Sequence, residues 1–270
     1  MLVAGIDVGS LSTDVVIMDA GCEVVGYAVV ATGAHAQQAA QEGLAVALER
    51  AECRRDDIEM VVSTGYGRNI VNGAQRGVTE ITCHAKGAHF LFPETGTVID
   101  IGGQDSKVIR LKSGGRVADF AMNDKCAAGT GRFLEVMAQA MSVDLSEMGP
   151  RSLESKEFVQ VSSLCTVFAE SEVVSLIAQG RAIEDILNGL HHAIADRISS
   201  LVRRVGKGST ITMTGGVAKN IGVVAALEQK LEATFQIPKE PQIVGAIGAA
   251  IIALEHLECR DAGDRTGAAA

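Results

Sequence analysis

The sequence predicts an α/β protein of two lobes that repeat one unit. Three observations carry this expectation. The chain has 270 residues and 47% hydrophobic content, enough to bury a substantial core in two lobes rather than one. A strand, strand, strand, helix, strand, helix layout fills the first third and begins again at Thr97. An acid followed by a glycine turn ends the first strand of each copy, as Asp7-Val8-Gly9 and as Asp100-Ile101-Gly102.

The elements follow in order. Leu2 to Val8, Asp14 to Met18 and Glu23 to Val30 read as short strands, with Gly9-Ser10 and Ala20-Gly21 as turns. Ala36 to Ala51, rich in Ala, Gln and Leu, reads as a helix; Met60 to Ser63 reads as a buried strand, and Cys83 to Phe92 as a helix stopped by Pro93. In the second copy Thr97 to Ile101 and Ser106 to Leu111 form a hairpin-like pair across Gly102-Gly103, and Arg116 to Met122 makes a third strand. Helical patterns then run over about Glu170 to Ala178 and over Ile183 to Val205. Strand Thr210 to Thr214 meets Gly215-Gly216, and Ile247 to Leu257 closes the chain as an apolar helix. The expected organisation is a first lobe at 1–95 completed by helix 246–258, a second lobe at 96–245, and a loose tail at 259–270.

Net charge −9 and a pI near 5.2 argue against nucleic acid or an anionic membrane as the main partner. No apolar run is read as long enough to span a bilayer, and Met1-Leu2-Val3-Ala4 lacks the basic and long apolar regions of a signal peptide. The expected compartment is the cytoplasm. Its reducing chemistry disfavours structural disulfides, so the cysteines at 22, 53, 83, 126, 165 and 259 serve packing, metal binding or redox work.

The two acid-glycine turns suit phosphate. Gly5-Ile6-Asp7-Val8-Gly9-Ser10-Leu11-Ser12-Thr13 and Val98-Ile99-Asp100-Ile101-Gly102-Gly103-Gln104-Asp105-Ser106 each place a carboxylate at a strand end before a flexible turn. Glycine lets backbone N–H groups approach phosphate, and a carboxylate holds Mg²⁺ through water. Such turns are common in α/β proteins; their repetition is what points to a clamp on one nucleotide. There is no Walker A sequence, and Leu134 occupies the third glycine position that a dinucleotide fingerprint starting at Gly129 would need. A further glycine site, Met213-Thr214-Gly215-Gly216-Val217-Ala218-Lys219-Asn220, suits adenosine.

Two cysteines stand just before helix starts, in Asn123-Asp124-Lys125-Cys126-Ala127-Ala128-Gly129-Thr130-Gly131 and in Cys165-Thr166-Val167-Phe168-Ala169-Glu170. Helix N-termini favour a thiolate or an anionic cluster, and two such cysteines supply half a metal site. Cys22, Cys53, Cys83 and Cys259 lack that spacing and read as packing or incidental residues. His84 and His89, five apart on one helix, and His191-His192 within a long helix read as structural.

Together with Gly245-Ala246-Ile247-Gly248-Ala249-Ala250, these elements resemble the phosphate-1, phosphate-2, adenosine and interdomain-connection motifs of the acetate kinase, actin, heat-shock protein 70 and sugar kinase superfamily. With the cysteine segments and Thr64-Gly65-Tyr66-Gly67-Arg68, nearly the whole chain is similar to the activator component of 2-hydroxyacyl-CoA dehydratases and to the ATPase subunits of benzoyl-CoA reductase. The resemblance implies a two-lobed actin-like ATPase fold of duplicated ribonuclease H-like domains. It implies a homodimer sharing one [4Fe–4S] cluster, with Cys126 and Cys165 as ligands from each copy. It implies ATP or ADP with Mg²⁺, a ferredoxin or flavodoxin as electron donor, and the dehydratase or reductase catalytic component as acceptor.

By the same resemblance Ser10, Leu11, Ser12 and Thr13 surround the phosphates. Asp7 and Asp100 organise magnesium and water, and Gln104 faces the terminal phosphate. Gly215 and Gly216 approach adenosine, with Gln242 a further nucleotide contact. One position departs: Asp14 stands where the family commonly has lysine. The nucleotide loops alone also allow a small-molecule kinase with Asp100 or Asp105 as base, or a nucleotide-dependent scaffold; the cysteine pair separates those readings from a redox activator.

Overall fold

A computed structural model of the chain describes residues 1–162 and 165–267, with side chains through residue 260. The strands are β1 (Leu2–Val8), β2 (Ser12–Asp19), β3 (Val24–Ala31), β4 (Ile58–Gly65), β5 (Arg76–Gly77), β6 (Thr97–Ile101), β7 (Ser106–Lys112), β8 (Arg116–Asn123), β9 (Ile211–Thr214) and β10 (Phe235–Gln236). The helices are α1 (Ala36–Arg50), α2 (Glu80–Leu91), α3 (Gly131–Met141), α4 (Leu145–Ser152), α5 (Thr166–Ala178), α6 (Ile183–Val205), α7 (Ile221–Leu231) and α8 (Val244–Gly267). Two compact units form. One comprises Met1–Pro93, Ser113–Val117 and Gln242–Ala270, the other Glu94–Lys112 and Ala118–Pro241.

Each unit is built on a five-stranded mixed sheet with the same wiring. The first runs β3-β2-β1-β4-β5 and the second, read from its other edge, β8-β7-β6-β9-β10. In both, the first strand pairs antiparallel with the second and parallel with the fourth. The parallel crossover is the step that needs an intervening helix.

Strand β2 shows why the first sheet is apolar throughout. Side chains alternate between faces along a strand. Val15 and Ile17 enter the cluster with Ala40 and Ala47 of α1, while Val16 and Met18 enter the cluster with Ala246, Ala250 and Leu254 of α8. Both faces are covered, so polar alternation is lost. The second unit has one large core in which Ile99, Ile101 and Met213 meet Phe133 and Met137 of α3 and Leu190 and Ile194 of α6.

Several outcomes differ from the sequence expectation. Helix α2 starts at Glu80, three residues before Cys83, because Thr79 caps it and accepts the Thr82 N–H. Helix α8 extends from Val244 to Gly267, through most of the stretch expected as a tail; the last residues of that stretch, 268–270, lie outside the described residues. The run Pro241–Arg260, with mean hydropathy 1.4, also has the length and composition to cross a membrane, contrary to the expectation that no run reaches that length. Its physical reason is local: α8 is a core helix packed on β1, β4 and α2, and 61% of the run's apolar window is buried there.

Candidate functional site

The first loop leaves β1 at Asp7, whose side chain is buried. The turn closes where the Gly9 N–H donates to the Ser12 carbonyl at 2.9 Å. Ser10, Leu11 and Ser12 are half-exposed along the turn. Thr13 lies beneath it, fully buried, with its hydroxyl 2.9 Å from that of Thr32, which donates in turn to the Gly9 carbonyl at 2.9 Å. Thr13 therefore fixes the shape of the loop. Ser12 Oγ donates to Asp14 Oδ2 at 3.2 Å.

The second loop leaves β6 at Asp100, only 2% exposed. The Gly102 N–H donates to the Asp105 carbonyl at 3.0 Å, leaving Gln104 at the exposed tip. Lys107 Nζ lies 3.0 Å from Asp100 Oδ2 and 2.5 Å from Asp105 Oδ2, and Thr214 Oγ1 donates to Asp100 Oδ1 at 2.8 Å. Charge pairing of this kind lets an ionised carboxylate stay buried. At the end of β9, Gly215 adopts φ +84°, and its N–H donates to the Pro241 carbonyl at 2.9 Å. A side chain there would be strained and would meet the Ile101 carbonyl, so the turn requires glycine. Gly216 opens the following 3₁₀ turn, and Gln242, half-buried, is in the turn next to Pro241.

The thiols of Cys126 and Cys165 are free and exposed. Cys165 is the N-cap of α5, with φ −68° and ψ 122°. Cys126 precedes α3 by one turn of chain, held by the Asn123 side chain, which donates to the Cys126 carbonyl at 2.8 Å. Arg197 of α6 donates to the same asparagine at 3.4 Å. The first N–H groups of α3 do not face open space. Gly131 and Arg132 donate to the carbonyls of Gly102 and Gly103 at 2.9 and 2.8 Å, satisfying helix-start donors with the second loop. Helices α3 and α5 pack together through Phe133, Met137, Ala169 and Val173.

The chain thus has two acid-glycine loops and two exposed thiols, and the second loop is bonded to the start of α3. Across residues 4–253 the chain matches the BadF/BadG/BcrA/BcrD ATPase family. The chain belongs to that family.

Among relatives of this family member, the 2-hydroxyisocaproyl-CoA dehydratase activator of Clostridioides difficile is 44% identical over 260 residues, covering 95% of this chain and 96% of the relative. The (R)-2-hydroxyglutaryl-CoA dehydratase activating ATPase of Acidaminococcus fermentans is 44% identical over 250 residues, covering 92% and 95%. A solved structure of the Clostridium difficile activator of the 2-hydroxyisocaproyl-CoA dehydratase with bound ADPNP superposes with TM-score 0.93 at 43% identity, covering 97% of this chain and 98% of that one. The protein is thus an ATPase with the actin-like fold that the paired sheets indicated.

The donor set of this ATPase also suits the two inorganic groups the family implies. Asp7 and Asp100 are oxygen donors at strand ends beside phosphate-type turns, which is magnesium chemistry. Cys126 and Cys165 are soft donors, accessible, at the starts of packed helices. Among the described residues no group of three or more His, Cys, Asp or Glu side chains converges as a metal site; Cys126 and Cys165 are two thiols, where a [4Fe–4S] cluster ordinarily takes four. Cys83, in contrast, is fully buried, and burial pushes its thiol up to about 12. His191 is buried as well, with Nδ1 2.9 Å from Ser152 Oγ.

Three residues beside the loops escaped the sequence reading. Lys107 and Thr214 flank Asp100, and His84, read as structural, places Nε2 3.5 Å from Asp7 Oδ2. A signal for the first two was present. Each acid is followed seven residues later by the residue paired with it across the hairpin, and a Thr-Gly step marks the end of each fourth strand, Thr64-Gly65 closing β4 and Thr214-Gly215 leaving β9. No pattern in the sequence joins His84 to Asp7.

Proposed function

We propose that this ATPase is the ATP-dependent one-electron donor of a 2-hydroxyacyl-CoA dehydratase. Two copies share one [4Fe–4S] cluster, each giving Cys126 and Cys165. An electron comes from ferredoxin or flavodoxin and passes to the dehydratase catalytic component, with ATP hydrolysis driving the transfer. The cluster supplies low-potential one-electron storage when bound. Asp7 and Asp100 orient magnesium and water. Gln104 meets the terminal phosphate, Ser10, Leu11, Ser12 and Thr13 form the first phosphate loop, and Gly215, Gly216 and Gln242 take the adenosine side.

One observation carries the coupling. The N–H groups of Gly131 and Arg132 grip the loop that bears Gln104, and the same short segment contains Cys126. A shift of that loop on nucleotide turnover is thereby passed to a ligand thiol. The shared-cluster reading draws further support from α5, where Val167 and Phe168 beside Cys165 are 68% and 67% exposed. Large apolar side chains at that exposure suit burial by a second copy, and two-fold symmetry doubles two thiols to four.

Anaerobic assays test the proposal. Reduced protein with MgATP should activate a dehydratase catalytic component, and Cys126→Ser should abolish activation while nucleotide affinity stays within about twofold, because the exchange of sulfur for oxygen leaves the backbone bonds of Gly131 and Arg132 to the loop in place. Activation that survives Cys126→Ser would overturn it.

A further inference from the structure

The register of the two sheets places the loop acids in equivalent three-residue rows. In the second unit the row is Lys107, Asp100, Thr214, from Asp100↔Lys107 and Asp100↔Thr214. In the first it is Asp14, Asp7, Thr64, from Asp7↔Asp14 and Asp7↔Thr64. The rows match at the acid and at the threonine. They differ at one end, where Lys107 binds Asp100 and its counterpart Asp14 is another acid.

Directly opposed residues on antiparallel strands hold their Cβ atoms about 5 Å apart, and like charges there repel. Asp7 and Asp14 are both buried carboxyl groups. The side chain that reaches Asp7 comes from outside the sheet. His84, on α2, is itself buried and sets Nε2 3.5 Å from Asp7 Oδ2. Helix α8 leaves room for that approach: at Gly245 a Cβ would run into Asp7 Oδ2 and come within 3.0 Å of His84 Nε2. The chain has no side chain at the one point where it would part the pair.

We infer that His84 is a positioning residue for Asp7, standing to it as Lys107 stands to Asp100, because Asp14 occupies the lysine place in the first row. This inference rests on the reading of Asp7 as a magnesium-organising group.

The test compares His84→Gln with Asp14→Lys/His84→Gln, measuring the Mg²⁺ concentration that half-saturates ATP-dependent fluorescence or calorimetric binding, and separately kcat for ATP hydrolysis. Loss of a group that orients a metal-organising carboxylate costs about tenfold to a hundredfold. His84→Gln should raise the Mg²⁺ requirement by at least about tenfold, and adding Asp14→Lys should restore it, since lysine recreates the second unit's row. An unchanged Mg²⁺ requirement in His84→Gln, or a defect that Asp14→Lys does not relieve, overturns the inference. Should His84→Gln fail to fold, Asp14→Lys alone is set against Asp14→Lys/His84→Gln: equal Mg²⁺ requirements support the inference, and a tenfold gap overturns it. Asp7→Asn separates the underlying reading, which fails if that variant keeps the wild-type Mg²⁺ requirement.

Discussion

Asp100 has one carboxylate oxygen taken by Lys107 and the other by Thr214. Those two contacts fix the direction of the carboxylate, as the proposed role of orienting magnesium and water requires. Asp100→Asn keeps the shape and the threonine contact but removes the charge. ATP hydrolysis should fall by about a hundredfold or more, while the iron content of the reconstituted protein stays unchanged. Steady-state phosphate release and iron assays check both halves. The acids and the two cysteines were visible as candidates in the sequence because each sits in a short local motif. Lys107, Thr214 and His84 were not, since their relation to the acids is set by strand register and by a helix folding back on the sheet.

Among the elements, α3 and α6 connect loop chemistry to the rest of the second unit. The start of α3 binds the second loop, and α6 reaches Asn123 through Arg197. Helix α6 also carries His191, which bonds Ser152 of α4. Burial, with the neighbouring His192 adding to it, lowers His191 from the ordinary 6.5 to about 3. Between those values the unfolded chain binds a proton that the folded one refuses, so stability from this group is full above 6.5 and is lost as pH falls toward 3. At pH 5 the loss is about 2 kcal/mol. Urea unfolding at pH 7 and pH 5 should show His191→Gln losing less stability than wild type by roughly that amount; equal losses would place the imidazole in water. Long periodic elements such as α6 were legible from the sequence, with both ends matching the pattern. The two-residue strands β5 and β10 and the short α4, with Gly149 and Pro150 inside it, were not, because each is too short or too interrupted to show a period and is held by its neighbours.

At the scale of the molecule, the duplicated layout was legible because both copies keep the same strand order and the same acid-glycine turn. What duplication alone does not provide is the thiol pair, present only in the second copy, between β8 and α6. On the proposed reading, one chain carries the nucleotide loops and half of a cluster's ligands. If two copies share one cluster, as proposed, the cluster and the dimer stand or fall together. Anaerobic reconstitution with iron and sulfide, followed by iron and sulfide analysis and mass measurement on the same sample, tests this most directly. One [4Fe–4S] cluster per two chains is expected, lost with the dimer's cluster band in Cys126→Ser and in Cys165→Ser. A full cluster on a single chain, or a dimer that takes up no iron, would contradict the account.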